Sequence, residues 1–127
     1  MQRQPRYVSK IPTNDYLEDL LKKEHIIPLV TIIQGKIVAG LVAYVLEKFE
    51  QERSEVYIYD LAVKEGFRRQ GIATALINKL KQIATSYKAW VIFVQADQGD
   101  EPAIKLYESL GIKEDVHHFD IPVLRSR

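Results

Sequence analysis

The 127-residue chain contains no cysteine, which rules out a disulfide framework, a thiol nucleophile and a cysteine-based metal site. A reducing cytoplasm suits such a chain, and cytoplasmic is the expected location. Net charge is nearly absent as well. With 18 basic and 17 acidic residues the formal charge is +1, so no overall field draws the protein toward nucleic acid. Long apolar runs are missing. The longest, Ile37 to Leu46, is too short to cross a bilayer, and the N-terminus has no apolar stretch fit for a signal peptide. Neither a Gly-Lys-Ser/Thr loop nor the paired-glycine fingerprint of dinucleotide folds occurs, and no His/Asp/Glu spacing suggests a metal. The expectation is a soluble protein with no nucleic-acid or membrane partner.

What is there suits one core. Apolar residues make up 46% of the chain, enough for a single α/β domain over residues 13–127 behind a polar, extended lead-in over 1–12 that carries Pro5 and Pro12. The most informative stretch runs from Glu55 to Thr85. Residues 55–63, Glu-Val-Tyr-Ile-Tyr-Asp-Leu-Ala-Val, are β-branched and aromatic and read as a strand. After Gln70 the period becomes helical, with Ile72, Ala73, Leu76, Ile77, Leu80, Ile83 and Ala84 on one face. A strand that passes through a short loop at Gly71 into a helix aims unpaired N–H groups and the helix dipole at one spot, which suits phosphate. Arg68 and Arg69 add cations there, and the small Gly71 and Ala73 allow close approach to the main chain. The alternative is an ordinary strand-turn-helix with a surface arginine pair.

Around this unit the remaining elements fall into order. Thr13 or Asn14 caps a short helix over 15–23 whose apolar side is Tyr16, Leu17, Leu20 and Leu21. Residues 29–33 and 37–46 form a hairpin about Gln34-Gly35-Lys36, and residues 55–63 continue the meander. Residues 90–95 return parallel to 55–63. Pro102 opens a helix that stops at Gly111, and residues 112–123 make a last strand or strand pair. Acidic residues gather at Glu47, Glu50, Glu52 and Glu55, at Asp97, Asp100 and Glu101, and at Glu114, Asp115 and Asp120.

Arg68-x-x-Gly71-x-Ala73, preceded by Asp60-Leu61-Ala62-Val63 and followed by Ala103-Ile104-Lys105-Leu106-Tyr107-Glu108-Ser109-Leu110-Gly111, resembles the GNAT superfamily of acetyl-CoA-dependent N-acetyltransferases. Within it, Tyr57 to Val63, Gln95-Ala96-Asp97, Gly99-Asp100, Pro102-Ala103 and His118 to Ile121 are similar to the gentamicin-modifying aminoglycoside 3-N-acetyltransferases, over roughly residues 15–121. The resemblance implies a mixed central sheet with a splayed parallel pair, flanking helices and acetyl-CoA as donor. It also implies a small cationic amine as acceptor, a 3-amino group of a gentamicin-like antibiotic, and hence antibiotic resistance. A GNAT domain ordinarily has a strand and helix ahead of residue 13, which here are short or missing. That gap, and a long final strand with an open edge, suggest a homodimer.

By the same resemblance the pyrophosphate falls to Arg68, Arg69, Gln70, Gly71, Ala73 and Thr74, with Ala103 and Tyr107 also against the cofactor. The pantetheine amides pair with the backbone of Leu61, Ala62 and Val63, and an N–H near Ala62 or Val63 serves the oxyanion. Tyr107 matches the tyrosine that protonates or hydrogen-bonds the leaving thiolate, the alternative being a packed helix tyrosine. Asp60, a carboxylate in an apolar strand, is the first candidate for the base, against a salt-bridging role; His117 and His118 are the other candidates. Tyr59, Asp60, Asp97, Asp100 and Asp120 are the expected acceptor contacts. Two rival functions remain open: acetylation of another polyamine or lysine amine, and a non-catalytic acetyl-CoA-binding module.

Overall fold

The computed structural model of the chain describes residues 11–124; the expected lead-in lies, apart from Ile11 and Pro12, outside them. The described elements are α1 (Asn14–Leu21), β1 (Ile26–Ile33), β2 (Lys36–Glu47), β3 (Ser54–Val63), α2 (Ile72–Thr85), β4 (Ala89–Val94) and α3 (Glu101–Leu110). The four strands form one mixed sheet in the order β1-β2-β3-β4. β1 and β2 meet through a turn in which Gln34 and Gly35 both hold positive φ, 50° and 76°, the backbone twist that a two-residue hairpin needs. β3 runs antiparallel to β2, and β4 lies parallel to β3 after the α2 crossover.

The core lies between the sheet and α2. Alternation along β2 sends Ala39, Leu41, Ala43 and Val45 to this inner face, and α2 meets them with Leu76, Ile77, Leu80 and Ala84. Ile72, Ala73 and Ile83 pack at the margin, so all seven residues expected on the apolar helical face are there. On β3 the inward residues are Val56 and Ile58, then Leu61 and Val63, with a step of three between the pairs. That step is a β-bulge. Val42 pairs with Asp60 and Ala43 with Ile58, which leaves Tyr59 as the extra residue. The bulge turns Asp60 and Ala62 to the outer face, beside Pro28, Val30, Gly40 and Val42.

Four expectations need correction. Residues 112–123 form no strand, and among the described residues no backbone hydrogen bond joins them to the sheet. Their β-rich composition supplies propensity without a partner edge, and Ile112, Val116, Phe119, Ile121 and Val123 are exposed. The final-strand argument for a dimer falls with them. The apolar side of α1 is not buried: Tyr16, Leu17 and Leu21 are exposed, because the helix touches the sheet only near β1. α2 starts at Ile72 rather than Gln70, since Gly71 is left-handed at φ 79° and acts as the N-cap. α3 starts one residue before Pro102, at Glu101, and stops at Gly111 as expected. Among the described residues no helix is long and apolar enough to cross a membrane.

Candidate active site

The parallel ladder between β3 and β4 runs only from Ser54↔Ala89 to Ile58↔Val94. β4 stops there, while β3 continues from Tyr59 to Val63 paired with β2 alone. A gap therefore opens at the carboxyl ends of the two strands, the usual place for a ligand in an open sheet with parallel strands. Lys64 N–H donates to Val38 O at 2.8 Å, so by the two-residue period Asp60 and Ala62 aim their backbone groups at β2. Leu61 and Val63 aim theirs into the gap. Of the three residues expected to pair with pantetheine, these two present their main chain and Ala62 does not. Val63 O accepts from Arg68 Nε at 2.9 Å, which anchors that guanidinium to the strand end.

The turn from β3 into α2 closes one end of the gap. Arg69 holds a positive φ of 63° two residues before Gly71, and Gln70 Nε2 donates to Gly66 O at 3.3 Å. A left-handed arginine is a strained conformation kept by its surroundings. The first α2 hydrogen bond of this turn is Ala75 N–H to Gly71 O, so the N–H groups of Ile72, Ala73 and Thr74 have no partner in the preceding turn of helix. No acidic side chain stands in that first turn and none caps it. A Cβ added at Gly71 would meet no atom within 4 Å, so the space above these donors is open. Arg68, Arg69, Gln70, Gly71, Ala73 and Thr74 lie together on this turn and the first turn of α2, a backbone arrangement that suits an anion.

Helix α3 follows the loop after β4. Its N-cap is Asp100, whose Oδ1 accepts from Ala103 N–H at 3.3 Å, and Ala103 is fully buried. Leu106 and Tyr107 pack against the core. Burial pushes the Tyr107 hydroxyl up to about 12, with the Asp100 carboxylate adding to the shift.

Across the outer face lies an aromatic floor. Tyr44 and Tyr57 each meet Tyr59 edge to face, at 5.9 and 5.8 Å between centroids, and Tyr57 stacks on Phe93 at 4.8 Å. Burial and then the nearby Asp60 carboxylate raise the Tyr44 hydroxyl. From Tyr57 a row of polar contacts leads through Gln95 and His118 to Asp120. Asp120 therefore ends a row of linked side chains that begins at Tyr44, on the outer face that Asp60 shares. Asp97 is exposed on the loop after β4, apart from that run, and His117 is exposed with its ring 6.4 Å from Phe119. Sequence reasoning singled out Tyr59 but missed Tyr44, Tyr57, Phe93 and Gln95. The available signal was the two-residue alternation: Tyr57 sits between the inward Val56 and Ile58, and its cross-strand partner Tyr44 between the inward Ala43 and Val45, so both face outward.

Residues 1–112 match the acetyltransferase (GNAT) family. Among solved structures, the chain is 56% identical to an aminoglycoside acetyltransferase from an uncultured soil metagenomic sample, with a TM-score of 0.87, over 90% of this chain and 76% of that one. A second soil aminoglycoside acetyltransferase, in complex with sisomicin, is 37% identical at a TM-score of 0.85, over 91% and 77%. An N-alpha-acetyltransferase of Saccharolobus solfataricus is 30% identical over 86 residues, which is 59% of this chain and 52% of that protein. Its counterpart in Sulfurisphaera tokodaii is 37% identical over 59 residues, 46% and 35%. The chain spans only about a third to a half of these two curated relatives.

Proposed function

This chain belongs to the GNAT acetyltransferase family, and from that premise we propose that it moves an acetyl group from acetyl-CoA to a primary amine of an aminoglycoside, the 3-amino group of a gentamicin-like compound. The single observation that carries the acceptor class is the 56% identity to a soil aminoglycoside acetyltransferase. The aromatic floor with a carboxylate at either end supports it, since rings suit the apolar faces of amino sugars and carboxylates suit their ammonium groups.

Acetyl-CoA, when bound, supplies an acyl group already activated as a thioester. The cradle of Arg68, Arg69 and the α2 N-terminus holds the pyrophosphate, and the main chain of Leu61 and Val63 orients the pantetheine arm. Val63 N–H, directed into the gap, stabilises charge developing on the carbonyl oxygen. Asp60, half-buried beside the bulge, accepts the amine proton directly or through water. Tyr107 donates its hydroxyl hydrogen bond to the departing sulfur. Asp97, Asp100 and Asp120 add to the field that draws in a polycation.

The test is CoA thiol release with gentamicin, spermidine and a lysine peptide in parallel. Fast release with gentamicin alone is the expected result. Release only with another amine moves the acceptor to a different polyamine or a lysine; silence with acetyl-CoA still bound makes this a non-catalytic binding module. We also read the protein as a cytoplasmic homodimer, supported by the edge of β1, which no strand covers among the described residues, and by the exposed Val30, Ile32 and Ile37 of the hairpin. A monomer mass in light scattering at micromolar concentration removes the dimer.

A further inference from the structure

Gln95 is the first residue beyond β4, at the mouth of the gap, and its amide touches two parts of the chain that are distant in sequence. Its Oε1 accepts from the Tyr57 hydroxyl at 3.2 Å, and its Nε2 faces His118 Nδ1 at 3.5 Å. His118 Nε2 in turn lies 2.9 Å from Asp120 Oδ1. The last member sets the polarity of the row. An ionised carboxylate only accepts, so His118 keeps its proton on Nε2 and, when neutral, leaves Nδ1 bare. Gln95 must then turn its NH2 to His118 and its carbonyl oxygen to Tyr57. Every donor in the row points toward Asp120.

Residues 112–124 depend on ties of this kind. Among the described residues they have no strand and no backbone bond to the sheet, and their large apolar side chains are exposed. A segment without a ladder opens easily unless side chains hold it. The contact from Gln95 to His118 binds this segment to the strand pair where the aromatic floor ends.

We propose that Gln95 is a positioning residue that fastens His118 and Asp120 to Tyr57 and so builds a wall of the acceptor site, at which a second amine of a polycationic acceptor is read. The identity of that acceptor rests on the acetyltransferase reading above. A single amine engages the Asp60 end, near the bulge and the gap. A polycation reaches both carboxylates, because ring contacts and hydrogen bonds link Tyr44, Tyr59, Tyr57, Gln95 and His118 to Asp120 across the same outer face on which Asp60 lies. The wall therefore selects acceptors by charge count rather than by the group acetylated.

The experiment combines imidazole nitrogen NMR with kinetics on the whole chain and on Gln95→Ala and Gln95→Glu, the His118 signals being assigned through His118→Gln. In the unsubstituted protein His118 is expected as the Nε2–H tautomer, and both gentamicin and spermidine should move its signals while those of His25, exposed ahead of β1, stay fixed. Gln95→Ala should release the tautomer and raise KM for gentamicin about 5- to 10-fold, the loss of one or two hydrogen bonds. Its kcat and acetyl-CoA affinity should stay within about twofold. Gln95→Glu keeps an acceptor for Tyr57 but offers no donor to a bare Nδ1, so the Nε2–H tautomer preference should be lost there as well. If Gln95→Ala changes neither the His118 signals nor KM, the wall does not exist, whatever the enzyme acetylates. If no amine is turned over yet polyamines still move His118 in a Gln95-dependent way, the acetyl-transfer reading fails and the wall stands.

Discussion

Replacing Tyr107 by phenylalanine is expected to lower kcat about 100-fold while leaving acetyl-CoA affinity within about twofold, since a hydrogen bond to a charged group contributes about 1.5–3 kcal/mol and this one forms only as the sulfur departs. The ring stays, so the packing of α3 on the core stays with it. A hydroxyl pushed up to about 12 is a poor proton donor to a thiolate whose thiol ionises near about 8.5; full transfer runs uphill by about 5 kcal/mol. On the proposed mechanism Tyr107 therefore serves as a hydrogen-bond donor that keeps its proton. Two consequences of pH follow. Activity should show no alkaline limb from this group as pH climbs through 10, where an ordinary phenol would ionise. In the unfolded chain the phenol returns to about 10, so the folded state holds this proton more tightly. The stability it contributes is intact below about pH 10 and is lost as pH rises toward about 12, and the urea midpoint of Tyr107→Phe should fall less across that window. Unchanged turnover in the variant would remove Tyr107 from the chemistry.

How much of this site was legible beforehand depends on whether a residue's job is set by its neighbours in sequence. The α2 face was readable because a helical period is local: seven apolar residues at spacings of one, three and four can share only one side. The hairpin was readable because Gln34-Gly35 determines its own backbone. The bulge at Tyr59 was printed in the spacing of Ile58 and Leu61, yet a strand read for composition alone hides it. Which main-chain groups of residues 61–63 face the gap depends on the pairing register with β2, a long-range fact; hence Ala62 was expected to take part and does not. Residues 112–123 fail for the opposite reason. Their propensity is real, but a strand exists only where another edge accepts its hydrogen bonds, and among the described residues none does. Asp100 illustrates a third case, in which a residue expected at the acceptor on the ground of the motif also caps α3, a local role readable from Asp100-Glu101-Pro102-Ala103.

Gly71→Val separates the demands of the turn from those of the donor. At φ 79° a β-branched residue pays for a left-handed backbone, a cost of about 1–2 kcal/mol in folding free energy. A Cβ there meets no atom within 4 Å, so the backbone conformation carries the main folding cost. The fold should survive, with a lowered denaturation midpoint. Acetyl-CoA affinity should fall much further, about 100-fold: the new side chain fills the open space over the N–H groups of Ile72, Ala73 and Thr74, and losing two charge-assisted bonds of about 1.5 kcal/mol each is enough. Calorimetric titration with acetyl-CoA beside chemical denaturation measures the two losses independently. Gly71→Ala has almost the same backbone penalty with a smaller obstruction, so its affinity should lie between the two while its stability matches valine's closely. If both variants lose stability equally and neither loses affinity, glycine serves the turn alone. The pyrophosphate would then lie away from the α2 N-terminus, and Arg69, strained at φ 63° beside it, would be left without a ligand to explain its conformation.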